Sequence, residues 1–411
     1  MSRTTILPEW TLALALAGTA ERRRELGPLA DGLLEQVDAD LLAALLASER
    51  LLPLLGARAC ELAGAGLPPA FHAAVAQATM RTALAGEAQE TLTVHLARTL
   101  DDAGICALPL KGPLLGRAIH GQPGMRIGTD VDLLVHPDDL SRARDVLVAH
   151  GYEDAGTRLD RRGLPVLHHA LTPIAPGLPP IDLHWRVHWY EEDFAALAIE
   201  RAVRDELRVW RPQPADELAM LLLMYARDGF VGLRLAVDLA AWSDALGASV
   251  PDGALAGIAT DHPQLADALV AASNRARLTV GVPGALLLDD EVSDGARVRA
   301  AQRLANWSCR GGNAQALANV SLIDALLMPR GQLHAFGARQ LSRRAGAGDG
   351  ERRARLHAPR VLLRYALAGA RVGRRREWSP LPPDDQLPRA RQAPPATIPA
   401  QVHSSSSEKV C

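Results

Sequence analysis

Most of the chain places Leu and Ala at three- and four-residue intervals, and only a middle stretch switches to alternation of every second residue. The first pattern belongs to helices with one apolar face, the second to strands with one buried face. From Pro8 to about Asp102 the helical period holds in Leu33 to Leu46, in Glu49 to Leu62 and in a long helix over Phe71 to Asp101. Gly64 to Pro69 interrupts it and Gly104 ends it. The spacing predicts an N-terminal helical domain over 1–102.

The middle stretch, 103–214, has a different rhythm. Ile105 to Leu110 is a short apolar run in which Pro109 points to an edge strand, and Lys111-Gly112-Pro113 turns into a helix ending near His120, with Pro113 suited to a first helical position. A loop from Gly121 to Gly128 leads into Thr129-Asp-Val-Asp-Leu-Leu-Val135, which alternates as a strand. Leu140 to His150 is amphipathic and stops at Gly151. Short strands follow near Tyr152 and over Leu164 to Ile174, and then Ile181 to Trp189 alternates cleanly. It sets Ile181, Leu183, Trp185, Val187 and Trp189 on one face and Asp182, His184, Arg186 and His188 on the other. Helical periodicity returns over 215–340, chiefly Asp216 to Arg227, Gly232 to Leu246 and Pro263 to Leu278. An Arg-rich helical segment is expected over 341–377, and the Pro- and Ser-rich remainder, 378–411, has the composition of a disordered tail.

This patterning puts carboxylates together. Asp130 and Asp132, two apart on a strand, point the same way roughly 6.5 Å apart, while Val131, Leu133 and Val135 face a core. Two like charges on one face are costly without a cation, and a neighbouring Ile181 strand would add Asp182. Three carboxylates suit one or two Mg²⁺ ions bound with a nucleoside triphosphate such as ATP; the plain alternative is a solvated strand edge. At the strand-to-helix turn, Lys111 and Gly112 are candidates for the triphosphate, Gly112 letting the backbone approach and Lys111 adding charge. Arg126, just before the Asp130 strand, is a further phosphate candidate. His184 and Arg186 are candidates for substrate, or, for His184, for orienting a carboxylate. Zinc is disfavoured: His168 and His169 point to opposite faces, and His184 and His188 stand roughly 13 Å apart on a strand.

Composition adds limits. A formal net charge of −2 gives no global attraction to nucleic acid or membrane. The Arg run from Arg343 to Arg376 lacks, apart from Tyr365, the interleaved aromatics of an RNA-binding segment. All but two of the 45 Lys and Arg residues are Arg, so Lys111 stands out as the only internal lysine. Four dispersed cysteines form no CxxC pair and, with no apolar run near the roughly 20 residues of a membrane helix, the expected compartment is the cytoplasm.

The string LKGPLLG…GMRIGTDVDLLV over Leu110 to Val135, with Gly151-Tyr152, His168-His169, IDLHWRV and the later LRLAVDLAAW at Leu233 to Trp242, resembles the bacterial uncharacterised nucleotidyltransferase family. That family is similar to the DNA polymerase beta-like nucleotidyltransferases. The resemblance implies an α+β fold, a small mixed sheet flanked by helices, and metal-dependent transfer of a nucleotidyl group from an NTP to a hydroxyl or phosphate of an acceptor. It implies that Asp130 and Asp132 are the paired metal carboxylates and Asp182 the third, with Asp182 the base toward the acceptor. Lys111-Gly112 stands where the superfamily typically has Gly-Ser or Gly-Gly, and the interval to Asp130 is longer than usual. The family's frequent position beside peptide natural-product genes implies a small-molecule or peptide acceptor. Two competing expectations are a DxD sugar-nucleotide glycosyltransferase and a binding protein on a degenerate nucleotidyltransferase core.

Overall fold

The computed structural model describes residues 7–64, 66–156, 167–289, 295–308, 320 and 322–329. The expected Arg-rich helical segment and the tail lie outside the described residues. The fold is α+β, a five-stranded mixed sheet flanked by helices, as expected.

Helices α1 (Pro8–Ala17), α2 (Ala20–Leu34), α3 (Ala39–Ser48), α4 (Ala57–Ala63) and the 34-residue α5 (Pro69–Asp102) come first. Then come β1 (Ala107–Pro109), α6 (Pro113–His120), β2 (Val131–Val135), α7 (Leu140–Ala149), β3 (Tyr152–Asp154), β4 (His168–Pro173) and β5 (Ile181–His184). After α8 (Phe194–Glu200) and a small hairpin, β6 (Val203–Arg204) and β7 (Trp210–Arg211), the described chain is helical: α9 (Pro214–Arg227), α10 (Arg234–Leu246), α11 (Ala254–Asp261), α12 (Ala266–Val280) and α13 (Gly295–Ser308).

The sheet order is β1-β2-β5-β4-β3, with β2 and β5 parallel and the other pairs antiparallel. Pro109 sits on the edge strand β1, where its missing N–H costs no ladder bond. One face of the sheet carries Val131, Leu133, Val135, Ile181 and Leu183, packed against Leu96 and Leu100 of α5 and Leu140, Ala143 and Leu147 of α7. Burying that face fixes the register, since a one-residue slip would exchange it with the polar face. Asp132, Asp182, His168 and His184 are thereby directed to the other side.

The long alternation from Ile181 to Trp189 does not form one strand. It pairs only as far as His184, where the facing strand β4 begins at His168. The Oε2 of buried Glu191 then accepts from the N–H groups of Val187 (3.0 Å) and His188 (3.2 Å), bonds of a turn rather than of a ladder. The helices on either side of the core meet each other: Thr19 N donates to Val280 O and Ala20 N to Asp244 Oδ2, both at 2.8 Å.

Candidate active site

The parallel pairing of β2 with β5 sets Asp132 directly beside Asp182. Asp130 lies one residue before β2 rather than on it. Its backbone carbonyl accepts from Gln89 Nε2 on α5, and Gln89 Oε1 in turn accepts from Gly128 N, both at 2.9 Å. This two-point clamp folds the loop back, and oxygens of Asp130, Asp132 and Asp182 come within 4.8 Å of one another.

Asp132 is buried among polar partners. Lys111 Nζ stands 3.2 Å from its Oδ2, and His184 Nε2 lies 3.1 Å from its Oδ1. Burial alone would push the Asp132 carboxyl up, but the His184 hydrogen bond and the Lys111 charge outweigh it and hold the group well below the usual carboxylate range. Burial pushes His184 the other way, toward the neutral imidazole, so its Nε2–H donates to an ionised Asp132. His184 is 2% exposed and faces the carboxylate rather than open space. Asp182 is only partly buried, and burial followed by the neighbouring carboxylates raises its pKa although His184 opposes this.

The turn that presents Lys111 depends on Gly112, whose φ of 86° with ψ of −155° is a conformation only glycine adopts readily. Pro113 occupies the first turn of α6, as the sequence predicts. On the same helix Gly116 lies under Arg126: a Cβ there would come within 2.7 Å of the Arg126 Cβ. Arg126 is buried and spends its Nε on Asp238 Oδ2 at 2.5 Å, a partner on α10.

A cleft of about 240 Å³ opens beside the carboxylates. Its wall includes Lys111, Gly112, Arg126, Thr129, Asp130 and Asp132 from the core, and Arg50, Met224, Arg227, Asp228, Val231, Arg234 and Leu235 from the helical regions. Of the residues singled out in the sequence, Asp130, Asp132, Lys111, Gly112 and Arg126 border this space. His184 stands behind Asp132. Arg186 does not join them: its guanidinium lies 4.4 Å over the Trp185 ring, and Nη1 donates to Trp189 O at 3.0 Å. The cause is the early end of β5, which turns the last five residues of the predicted alternation out of the sheet.

Sequence reasoning missed the arginines of the helical wall. Arg227, at the end of α9, is tied down by Nε to Asp228 Oδ1 (3.0 Å) and Nη1 to Val187 O (3.1 Å). It also missed a pairing across strands. The register joins His168 to His184, their rings 4.8 Å apart, and His168 Nε2 stands 3.6 Å from Asp182 Oδ1. The two imidazoles and Asp182 make a second group with ligand atoms within 4.8 Å. Neither histidine pair weighed from the sequence converges: His169 faces Asp154 at 4.0 Å, away from His168's partner, and His188 lies beyond the strand.

The carboxylate group fits a hard divalent cation. All three donors are oxygens, and Asp132, although both its oxygens hold hydrogen bonds, has lone pairs to spare. The model of the family described as uncharacterised nucleotidyltransferase matches residues 35–272, more than half of the chain and all of the sheet and cleft. No curated protein matches the chain. No helix among the described residues is long and apolar enough to cross a membrane.

Proposed function

The chain belongs to the uncharacterised nucleotidyltransferase family, and from that premise we propose that it is a Mg²⁺-dependent enzyme moving a nucleotidyl group from an NTP to a hydroxyl or phosphate of a small molecule or peptide. The observation that carries this reading is the convergence of Asp130, Asp132 and Asp182 within 4.8 Å at a cleft whose other wall is rich in arginine. Carboxylates and guanidinium groups lining one cleft match a metal-bound polyphosphate.

In this reading Asp130, Asp132 and Asp182 hold one or two Mg²⁺ ions, which, when bound, would neutralise the charge gathering on the phosphate oxygens. His184 keeps Asp132 oriented and ionised. Lys111 Nζ, now on Asp132, lies at the Gly112 turn beside the start of α6, where backbone N–H groups and the helix terminus favour phosphate. Arg126, anchored by Asp238, contributes fixed positive charge near the same end. The acceptor oxygen attacks the α-phosphorus, the bond to the pyrophosphate oxygen breaks, and Asp182 takes the acceptor's proton.

The test is turnover of labelled NTP with Mg²⁺ by wild type and Asp132→Ala. The variant should lose roughly 10²- to 10³-fold in rate, the scale of removing one electrostatic stabiliser; equal rates would end the assignment. A binding protein without chemistry is the second reading, favoured by the engagement of both Asp132 oxygens with protein groups. Calorimetric titration with ATP, CTP, GTP and UTP separates the two, because in that reading no Mg²⁺-NTP binds. The glycosyltransferase alternative needs a nucleotide-binding βαβ sheet ahead of the DxD, and the described residues before β1 are helical.

A further inference from the structure

Along the cleft, three guanidinium groups come together from three parts of the chain: Arg50 after α3, Arg126 before β2 and Arg234 at the start of α10. One buried carboxylate, Asp238, faces them, and Arg126 holds it at 2.5 Å. Arg234 donates through Nη2 to the Ile127 carbonyl and makes no ion pair with a carboxylate among the described residues. Burial, and then the nearby Arg126, push its guanidinium down to about 10, whereas Asp238 and Asp130 act the other way. The cluster therefore carries more positive charge than the protein around it balances.

Arg50 adds a second, independent sign. It follows the last turn of α3 with φ of 57°, the left-handed position at a helix end that glycine normally takes. The placement is fixed from the other side of the cleft. Glu49 Oε2 accepts from Leu233 N at 2.9 Å and lies against Gly232, which itself has φ of 74°. Glu49 thus ties the end of α3 to the start of α10, and the arginines that follow, Arg50 and Arg234, reach the same space. Arginine is the side chain whose planar fork matches phosphate oxygens.

We propose that Arg234 and Arg50 form a clamp for the phosphate tail of the donor, so that the site takes a nucleoside triphosphate and discriminates against a nucleoside monophosphate. The clamp lies outside the Lys111-Gly112 turn and joins the helices before the core to those after it. It rests on the nucleotidyltransferase reading for the identity of the anion, although not for the excess of charge.

Calorimetry with ATP, AMP and inorganic triphosphate, each with Mg²⁺, tests it in wild type, Arg234→Met, Arg50→Met, Arg234→Lys and Asp130→Asn. Wild type should bind ATP and inorganic triphosphate well above AMP. Arg234→Met should weaken both by about 10- to 100-fold, the worth of a charged hydrogen bond, and leave AMP unchanged. Arg234→Lys should recover part of the loss. Arg50 is exposed at a helix end, so Arg50→Met carries the same test if Arg234→Met does not fold. Variants that keep the wild-type ratio of ATP to AMP affinity, or a wild type with no preference, overturn the clamp. Asp130→Asn separates this from the catalytic reading: it should reduce Mn²⁺ affinity and transfer while inorganic triphosphate still binds through the arginines.

Discussion

On the sheet side of the cleft each charged group is held by neighbours across one strand pair: Asp132 beside Asp182, His184 behind Asp132, Lys111 on the adjoining edge. On the helical side, Arg126 finds Asp238 112 residues away, Arg234 reaches back to Ile127, and Glu49 caps the start of α10 across 184 residues. The two walls face the same space, the sheet wall with Asp130, Asp132 and Lys111 and the helical wall with Arg50, Arg227 and Arg234 beside Asp228. They differ in how a local change spreads, because strand register is set by an entire buried face whereas the helical wall hangs on single long-range bonds.

The largest effect expected from that difference is at Asp238. Removing it in Asp238→Ala leaves Arg126 buried with no carboxylate, which should cost about 3–5 kcal/mol of stability. Urea unfolding would measure it. Replacing the pair together, in Arg126→Met with Asp238→Leu, should recover most of the loss, since two well-packed apolar side chains can match a buried ion pair. A single variant as stable as wild type would mean that the helical wall does not depend on this bond.

The sheet wall was the legible one. Period-two alternation and the Asp130–Asp132 spacing are local signals, and burial of Val131, Leu133 and Val135 forces both the strand and the side its carboxylates take. That Asp182 would join them followed from the polar face of the Ile181 strand. The same alternation was misleading past His184. Nothing local distinguishes Arg186 and His188 from strand residues, and the turn is imposed by Glu191, three and four residues beyond the groups it binds. Arg50, Arg227 and Arg234 were not legible at all. In a chain whose basic residues are almost all Arg, each looks like a surface residue until tertiary packing brings it to the cleft. The His168–His184 pair depends likewise on antiparallel register, which the sequence does not state.

Glu191 connects the two walls, for the turn it closes carries the Val187 carbonyl that anchors Arg227. Burial pushes its carboxyl up to about 8, against the backbone N–H groups that favour the charged form. Its folded pKa lies above the unfolded value of roughly 4.3, so the folded chain holds this proton where the unfolded chain has lost it. The resulting stability is complete below the unfolded pKa and falls as pH rises toward about 8. His168 and His184, with pKa values lowered by burial, act oppositely: their cost appears as pH drops below the ordinary histidine value. Denaturation at a series of pH values should show stability falling by about 2 kcal/mol between roughly pH 6.5 and 8. Glu191→Gln should flatten that slope; an unchanged slope would remove Glu191 as its source.

The smallest expected effect is the sharpest probe of the sheet wall. Lys111 and Arg carry the same charge, so Lys111→Arg changes shape alone. Lysine presents a compact ammonium that can leave Asp132 Oδ2 and turn to a phosphate, whereas a guanidinium can grip the carboxylate with two parallel bonds. Lys111 stands at the turn just after β1, and its Nζ lies 3.2 Å from Asp132 Oδ2, so a guanidinium held on that carboxylate would be less free to turn away. Stability should hold, while nucleotidyl transfer should fall roughly tenfold, about 1.4 kcal/mol in the barrier. Steady-state rates at several NTP concentrations would separate a rise in KM from a fall in kcat. Full activity in the arginine variant would mean that any cation serves there, and that the only internal lysine of this chain has no role in the exchange between carboxylate and phosphate.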